Sequence, residues 1–222
     1  MNSFSKPYVI INSAITLDGK IASISNDSKI SSKQDLKRLH KLRSQVDAIL
    51  VGINTVINDD PILNIRLIDN FKKNPTRIIL DSKCRIPLYS KIMKTATKIN
   101  TVIVVTEKAS KNNILAVEKL GAQVLHTKSK SNINIKKLFS VLKKLGFQKI
   151  LVEGGGEINW SCFKSGIVNE LILTISPRII GGRNAITFVE GTGYSLIHNG
   201  ISLKLYKIKK HSNDELVLYY KL

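Results

Sequence analysis

Cysteine is scarce in this chain of 222 residues. The two cysteines, Cys84 and Cys162, show no CxxC spacing and form no disulfide framework. A reducing cytoplasm is therefore the expected location. The four histidines are scattered without the spacing of metal ligands, so we assign no metal site.

Long apolar runs are also missing. The longest, such as TVIVV and LILTI, are far too short to span a membrane. The N-terminal segment lacks a basic start and a small-residue cleavage site, so its apolar run reads as a strand and not as a signal peptide. With 43% hydrophobic residues and a mean hydropathy near zero, the chain is predicted to be one soluble globular domain over residues 1–222.

Acidic residues are few, since 16 Asp and Glu stand against 35 Lys and Arg, which gives a formal net charge of +19. A surface of this charge attracts polyanions. The basic residues are spread along the whole chain, however, and form neither a block nor a pattern interleaved with aromatic residues. Nucleic-acid binding is therefore the minor alternative, and a small phosphorylated substrate would suit the same charge.

What the sequence does contain is an alternation of β-branched runs and helical patterns, which indicates an α/β fold. Leucines at helical spacing predict a first helix that begins at a capping box of Ser31 and Gln34. The last two runs predict a hairpin, so we expect a mixed, mainly parallel sheet, flanked by helices, with an antiparallel C-terminal hairpin. The predicted strands cover residues 8–15, 47–52, 76–80, 101–106, 122–127, 149–154, 169–177, 202–210 and 215–222.

Three consecutive glycines, 154–156, separate the strand KILVE from a helix predicted to begin at about Glu157. Free N–H groups at a helix N-terminus, with no Cβ in the way, can bind phosphate. The pattern is neither GxGxxG nor a P-loop, since no GK[ST] follows. A tight turn alone would need one or two glycines, so three favour the close approach of a ligand.

The segment DSKCR follows a predicted strand, at the sheet edge where ligands bind in open α/β folds. Asp81 and Ser82 could bind a ribose or cap a turn. Lys83 and Arg85 would suit the 2′-phosphate of NADP. A solvated basic turn is the equally weighted alternative.

The segment GINTVINDDPILNIR also follows a strand. Thr55 and Asp59 could bind hydroxyls or the nicotinamide side of a cofactor, and Arg66 could hold a phosphate or ribose hydroxyls. The alternative is that NDDP only ends a helical turn. Earlier in the chain, Asp18 in SAITLDGKIA reads as part of an ordinary β-turn followed by Lys20.

In order and spacing, the motifs AITLDGKIA, NDSKIS, VGINTVINDDPILNIR, ILDSKCRIP and ILVEGGGEINWSCFKSGIVNELILTISPRIIGG together resemble the reductase family of riboflavin biosynthesis. The resemblance runs from Tyr8 almost to the C-terminus, and its motifs are weak singly and strong as an ordered set. It implies a dihydrofolate-reductase-like fold, NADPH as cofactor and a homodimer. It also implies reduction of the ribosyl group of a phosphorylated pyrimidine, either the diamino compound or its deaminated counterpart. A dihydrofolate or other pterin reductase of the same fold is the competing interpretation.

The resemblance also implies roles for individual residues. Glu153 is placed near the reacting carbon, where it would help to open the sugar ring, stabilise a cationic imine or bind ribose hydroxyls. For Arg43, the alternative is a solvated residue late in the first helix. Cofactor contacts are implied for Thr55, Asp59, Asp81, Ser82, Lys83, Cys84, Gly154, Gly155, Gly156 and Glu157, and substrate contacts for Asp27, Lys29, Arg43, Leu63 and Arg66.

The chain departs from the family pattern in two places. Relatives often carry a small hydroxyl residue after the glycines, whereas Glu157 brings a carboxylate that would repel a pyrophosphate. Bacterial relatives are fused to a zinc deaminase with HxE and PCxxC motifs. Neither motif occurs in this sequence, so we expect no deaminase activity, and reduction before deamination is favoured.

Overall fold

The structure is a computed structural model that describes residues 5–222, so residues 1–4 of the N-terminal segment lie outside the described part. This part of the chain contains nine strands. Most are rich in β-branched residues, which pack well on a pleated surface. The strands are β1 (Tyr8–Thr16), β2 (Ala48–Gly52), β3 (Thr76–Leu80), β4 (Thr101–Val105), β5 (Gln123–His126), β6 (Lys149–Val152), β7 (Glu170–Ser176), β8 (Lys204–Lys210) and β9 (Leu216–Lys221).

The first helix is capped one position later than the sequence predicts. Ser32 has the extended backbone of an N-cap, and its hydroxyl accepts the Asp35 N–H at 3.1 Å. The hydroxyl of Ser31 instead donates to the Asp35 carboxylate, so the predicted pairing of Ser31 with Gln34 is wrong. The helices are α1 (Lys33–Arg43), α2 (Ile53–Asp59), α3 (Lys91–Lys94), α4 (Lys111–Lys119), α5 (Ile135–Lys144) and α6 (Gly156–Lys164), with a 3-10 turn at Ile197–Asn199.

All nine strands belong to one sheet, in the order β5-β4-β3-β2-β6-β1-β7-β9-β8. The seven strands from β5 to β7 in this order run parallel. Strand β9 runs antiparallel to β7 and forms a hairpin with β8. The predicted mixed sheet with an antiparallel C-terminal hairpin is therefore confirmed. Because β2, β3 and β6 run in one direction, their carboxyl ends meet at one edge of the sheet.

Helices cover both faces of the parallel part. Successive residues of a strand point to opposite faces, so Ile49 packs in a cluster with α2, α3 and α4 while Leu50 packs with α5 and α6. Helix α1 lies on the Ile49 face, where Leu42 packs against Leu151. A sheet buried on both faces needs nearly continuous apolar strands, as the sequence provides.

The segment between β7 and β8, residues 177–203, is called here the β7–β8 connection. It is mostly irregular and runs back across the carboxyl ends of the strands. Thr187 forms an isolated β-bridge with Lys20, and the Glu190 N–H donates to the Gly156 carbonyl at 3.3 Å. The connection therefore lies against both the turn after β1 and the glycine turn after β6.

Candidate active site

A cavity of about 240 Å³ lies at the carboxyl ends of β2, β3 and β6. Five of the predicted cofactor residues line it. The remaining walls come from the turn after β1, from α2 and from the β7–β8 connection. Lining residues are Ile21, Ala22, Asn26, Ser28, Gly52, Ile53, Asn54, Thr55, Asn58, Asp59, Leu80, Arg85, Gly155, Gly156, Glu157, Ile158, Ile186 and Glu190.

The structure around each of the three glycines differs. Gly154 adopts φ +95°, a conformation that side-chain-bearing residues rarely take. A Cβ on Gly155 would project toward Thr55, whose Oγ1 would lie 3.8 Å away, so open space remains there. A Cβ on Gly156 would lie 2.6 Å from the Thr187 carbonyl oxygen, so the β7–β8 connection leaves no room for it. Backbone geometry therefore accounts for Gly154 and packing for Gly156, whereas neither requires glycine at position 155, which faces the open cavity.

Helix α2 brings Thr55 and Asp59 to the cavity, because residues four apart share one face of a helix. Burial raises the pKa of the Asp59 carboxyl. The nearby charge of Asp27 raises this pKa further, and together they outweigh the hydrogen bond from Ser28, which lowers it. The helix follows β2 through Gly52, which lies so close to Ile158 that a Cβ would be 2.9 Å from its Cγ1.

The segment from Asp81 to Cys84 forms a tight turn after β3. The Cys84 N–H donates to the Asp81 carbonyl at 3.0 Å, and Cys84 is buried at φ +54°. The Asp81 carboxylate is also buried and accepts the Ile86 N–H at 2.8 Å. The sequence left two functions open for Asp81, and the structure shows that its carboxylate caps this turn. Neither Ser82 nor Lys83 lines the cavity, whereas Arg85 does.

The second carboxylate oxygen of Asp81 has no hydrogen-bond partner among the described residues. Its nearest cation is the Nε atom of Arg85, at 3.9 Å. Burial raises the pKa of this carboxyl, and the hydrogen bonds from the turn and the charge of Arg85 only partly oppose the effect. The turn thus contains an acid that is stabilised on one oxygen only.

Glu153 follows β6 and forms a two-pronged ion pair with Arg43 of α1. Arg43 donates from Nε to Oε1 at 2.8 Å and from Nη2 to Oε2 at 2.7 Å. Only 7% of the Arg43 side chain and 10% of the Glu153 side chain are exposed. Burial disfavours the charged guanidinium, but the ion pair outweighs it, so the pKa of Arg43 is raised. The alternative of a solvated Arg43 is therefore wrong.

The substrate residues predicted on the chain after α2 lie beside this ion pair. The remaining Arg43 donor, Nη1, binds the Asn64 carbonyl at 2.9 Å. Leu63 is buried at φ +51°. Arg66 keeps an exposed guanidinium, which donates to the Asn64 side chain at 2.9 Å. Arg43, Glu153 and Arg66 therefore lie close together, and Leu63 directly precedes the Asn64 that joins them. Along the chain, Gly154 connects Glu153 to the cavity residues Gly155 and Gly156.

Asp27 and Lys29 are both exposed, in the loop between β1 and α1. The Asp27 carboxylate accepts the Lys29 N–H at 3.1 Å, which is a local turn interaction. Their neighbours Asn26 and Ser28 line the cavity, whereas Asp27 and Lys29 do not. The loop is thus at the edge of the site, and the two predicted side chains do not line the cavity, although Asp27 is near enough to Asp59 for its charge to raise the pKa of that carboxyl.

Several lining residues were missed by the sequence analysis. Ile186 and Glu190 belong to the irregular β7–β8 connection, in which no periodic pattern marks the inward side. Asn54 and Asn58 of α2 flank the predicted Thr55 and carry no separate signal. With Asp59 and Glu157, Glu190 makes the cavity more acidic than the net charge of the chain indicates.

Within residues 5–222, no group of three or more His, Cys, Asp or Glu side chains is arranged to hold a metal ion. No helix of the described chain is long and apolar enough to cross a membrane.

Comparison with known proteins agrees with this architecture. The profile of the RibD C-terminal domain family matches residues 7–217. The 2,5-diamino-6-ribosylamino-4(3H)-pyrimidinone 5′-phosphate reductase of Methanothermobacter thermautotrophicus is 37% identical over 215 residues, which cover 96% of this chain and 98% of that protein.

Solved structures show the same fold. RibD of Acinetobacter baumannii superposes with a TM-score of 0.83 at 24% identity, over 100% of this chain and 59% of that one. Dihydrofolate reductase of Enterococcus faecalis superposes with a TM-score of 0.53 at 13% identity, over 96% of this chain and 98% of that one. The expected dihydrofolate-reductase-like fold is confirmed, and the chain belongs to the RibD C-terminal domain family.

Proposed function

We propose that the chain is an NADPH-dependent reductase of riboflavin biosynthesis. It would convert the ribosyl group of 2,5-diamino-6-(ribosylamino)-4(3H)-pyrimidinone 5′-phosphate, called here the diamino substrate, to a ribityl group. The observation that carries the proposal is the position of Glu153, which is paired with Arg43 and directly precedes the glycines of the cavity. The Methanothermobacter relative is named for this activity.

The residues of the cavity fit a nicotinamide dinucleotide. Gly155 leaves space beside the N-terminus of α6, where main-chain N–H groups can bind a pyrophosphate. Arg85 is the one cation among the described residues that line the cavity, and it would bind a 2′-phosphate. The Enterococcus dihydrofolate reductase, which shares the fold, is complexed with NADP(H). When bound, NADPH supplies the hydride for the reduction.

The remaining cofactor contacts follow from the same arrangement. Thr55 and Asp59 would hold polar groups of the dinucleotide from α2, while the turn from Asp81 to Cys84 would support its adenosine half through the backbone. Glu157 faces the cavity and opposes an anion there, so we assign the pyrophosphate to the N–H groups after Gly155.

Glu153 would act as a carboxylate near C1′ of the substrate. The sugar ring of an N-glycoside opens when the bond between C1′ and the ring oxygen breaks. The bonding pair goes to the ring oxygen, which takes a proton from water to become a hydroxyl, and the nitrogen lone pair forms the C=N bond of a protonated imine at C1′. A fixed carboxylate stabilises this positive charge, and its effect is larger in a mostly buried site than in water. Arg43 holds both oxygens of Glu153 and so fixes the direction of the carboxylate.

Arg66 would bind the substrate phosphate with its exposed guanidinium, and Leu63 would pack beside the sugar. Lys29 and Asp27, exposed in the loop after β1, would contribute weaker contacts at the entrance. The homodimer implied by the family resemblance is also proposed, and sedimentation velocity would detect it as a species of twice 24.7 kDa.

The direct test is oxidation of NADPH by the purified protein. The diamino substrate, its deaminated counterpart and dihydrofolate are supplied in parallel. We expect NADPH to be oxidised with the diamino substrate alone, or faster with it than with the other two compounds. Activity only with the deaminated compound would support a reductase of riboflavin biosynthesis but refute the diamino compound as its substrate. Activity only with dihydrofolate would overturn the proposal.

Two variants test the assigned residues. Glu153→Gln should lower kcat more than it weakens NADPH binding, because its interaction is made mainly in the transition state. Arg66→Ala should raise KM for the diamino substrate and leave the Kd for NADPH unchanged. Lys119→Ala is the control, since it also removes one exposed positive charge, at the last residue of α4. An equal effect of Lys119→Ala would assign the loss to net charge.

A further inference from the structure

Residues 61–74 form a long irregular segment between α2 and β3, called here the 61–74 loop. No backbone–backbone hydrogen bond joins this loop to any part of the chain that the structure describes. Buried backbone N–H and C=O groups need partners. In this loop, side chains supply partners, three of them from other elements and one from Asn74 of the loop itself. The loop carries Arg66, the residue proposed to bind the substrate phosphate.

Two of these side chains come from the last turns of α1. Residues three apart lie on one face of a helix, and His40 and Arg43 both face the loop. Nδ1 of His40 accepts the backbone N–H of Arg66 at 3.0 Å. Nη1 of Arg43 donates to the carbonyl of Asn64 at 2.9 Å. The helix thus fixes the loop at Asn64 and at Arg66 itself.

The other two contacts come from Asn74, near the end of the loop, and from Arg77 of β3. The side-chain oxygen of Asn74 accepts the Ile65 N–H at 2.8 Å. Arg77, fully buried in β3, donates from Nη1 to the Ile62 carbonyl at 3.2 Å. These contacts hold the loop at earlier positions than Arg66. Of the four, His40 alone contacts the backbone of the phosphate-binding residue.

The chemistry of His40 suits a permanent acceptor. Only 1% of the residue is exposed. Acceptance at Nδ1 requires the neutral ring with its proton on Nε2. Burial, and then the positive charges of Arg43 and Arg66, lower the pKa of His40 to about 4, while Glu153 acts in the opposite direction. The ring therefore remains neutral at physiological pH, and the bond to Arg66 persists.

We propose that His40 is a positioning residue for the substrate: by accepting the Arg66 N–H, it fixes the backbone from which the Arg66 guanidinium reaches the phosphate. The inference rests on the proposed function, since it takes Arg66 as the phosphate contact. His40 itself would touch neither substrate nor cofactor. Its loss should therefore affect KM for the phosphorylated substrate and leave hydride transfer in the bound complex nearly unchanged.

Three substitutions separate the hydrogen bond from the volume of the ring. His40→Leu removes the acceptor. His40→Asn places an oxygen at about the position of Nδ1, whereas His40→Gln moves it one bond farther from the backbone. With the diamino substrate, we expect His40→Leu and His40→Gln to raise KM roughly 3- to 10-fold, the equivalent of one hydrogen bond. His40→Asn should restore most of the wild-type KM, with kcat and the Kd for NADPH unchanged throughout.

Hydrogen–deuterium exchange supplies a readout that does not depend on activity. His40→Leu and His40→Gln should raise exchange at the Arg66 amide, and His40→Asn should protect it. Unchanged exchange, or a KM that is the same for Asn and Gln, would overturn the inference. If the wild type reduces no substrate, or Arg66→Ala leaves KM unchanged, the proposed function fails instead, and the exchange result still decides whether His40 holds the loop.

Discussion

Alanine at position 156 should disturb both the stability of the protein and the wall of the cavity. The added Cβ would lie 2.6 Å from the Thr187 carbonyl oxygen and 2.7 Å from Cγ of Glu190. The Thr187 oxygen belongs to the backbone and cannot rotate away, so the β7–β8 connection must move. Overpacking of this kind costs about 1–3 kcal/mol. For a chain of this length, that corresponds to a fall in Tm of roughly 2–12 °C.

Alanine at position 155 is the matched control. Its Cβ would lie 3.8 Å from Oγ1 of Thr55, an ordinary van der Waals distance, and the backbone at Gly155 is extended. The fold therefore has room for the methyl group, but the group would occupy the cavity. We expect a Tm close to that of the wild type and a higher Kd for NADPH.

Thermal unfolding followed by circular dichroism and fluorescence titration with NADPH would compare the two variants. A wild-type Tm for Gly156→Ala would refute the argument that the β7–β8 connection is tightly packed on the glycine turn. A larger loss of stability for Gly155→Ala than for Gly156→Ala would reverse the roles assigned to the two residues.

Three further predictions concern charged side chains. Arg43→Met leaves the Glu153 carboxylate buried without its partner, so urea denaturation should show that the free energy of unfolding falls by about 3–5 kcal/mol. The double variant with Glu153→Gln should recover part of this loss, and full stability of the single variant would contradict the buried ion pair. The pKa of Asp81 is raised above 3.8, so the stability that this group contributes is present below that pH and is lost as pH rises through its folded pKa. Asp81→Asn should therefore gain stability relative to the wild type between pH 4 and pH 7 in urea titrations, and an unchanged difference would refute the raised pKa. Arg85→Ala should raise the Kd for NADPH and not for NADH, and an equal rise for both would exclude a contact with the 2′-phosphate.

Much of the fold could be predicted because local forces determine it. β-branched runs such as TVIVV fit a pleated strand wherever they occur, and the strands they predict coincide with those observed to within a few residues. The short helix α3 (Lys91–Lys94) and the 3-10 turn at Ile197–Asn199 were missed. Elements of one turn bury too few side chains to leave a periodic signal.

The site was predicted unevenly. Thr55 and Gly155 each lie three residues after a strand end, where the chain direction brings them to the cavity, and Asp59 follows Thr55 one turn later on the same face of α2. Asp81 has the same sequence context, yet its carboxylate turns inward to cap its own turn. Whether a polar side chain at a strand end faces a ligand or the protein depends on the neighbouring strands, and one segment of sequence does not contain that information.

The sequence by itself determined the alternation of strands and helices, the run of glycines after β6 and the family to which the chain belongs. Each of these depends on the chemistry of neighbouring residues or on an ordered set of motifs. Only the tertiary structure decided that Arg43 binds Glu153, which is 110 residues away, and that His40 holds the backbone of Arg66. Such contacts form because the sheet brings distant segments together and because burial forces their polar groups to find partners.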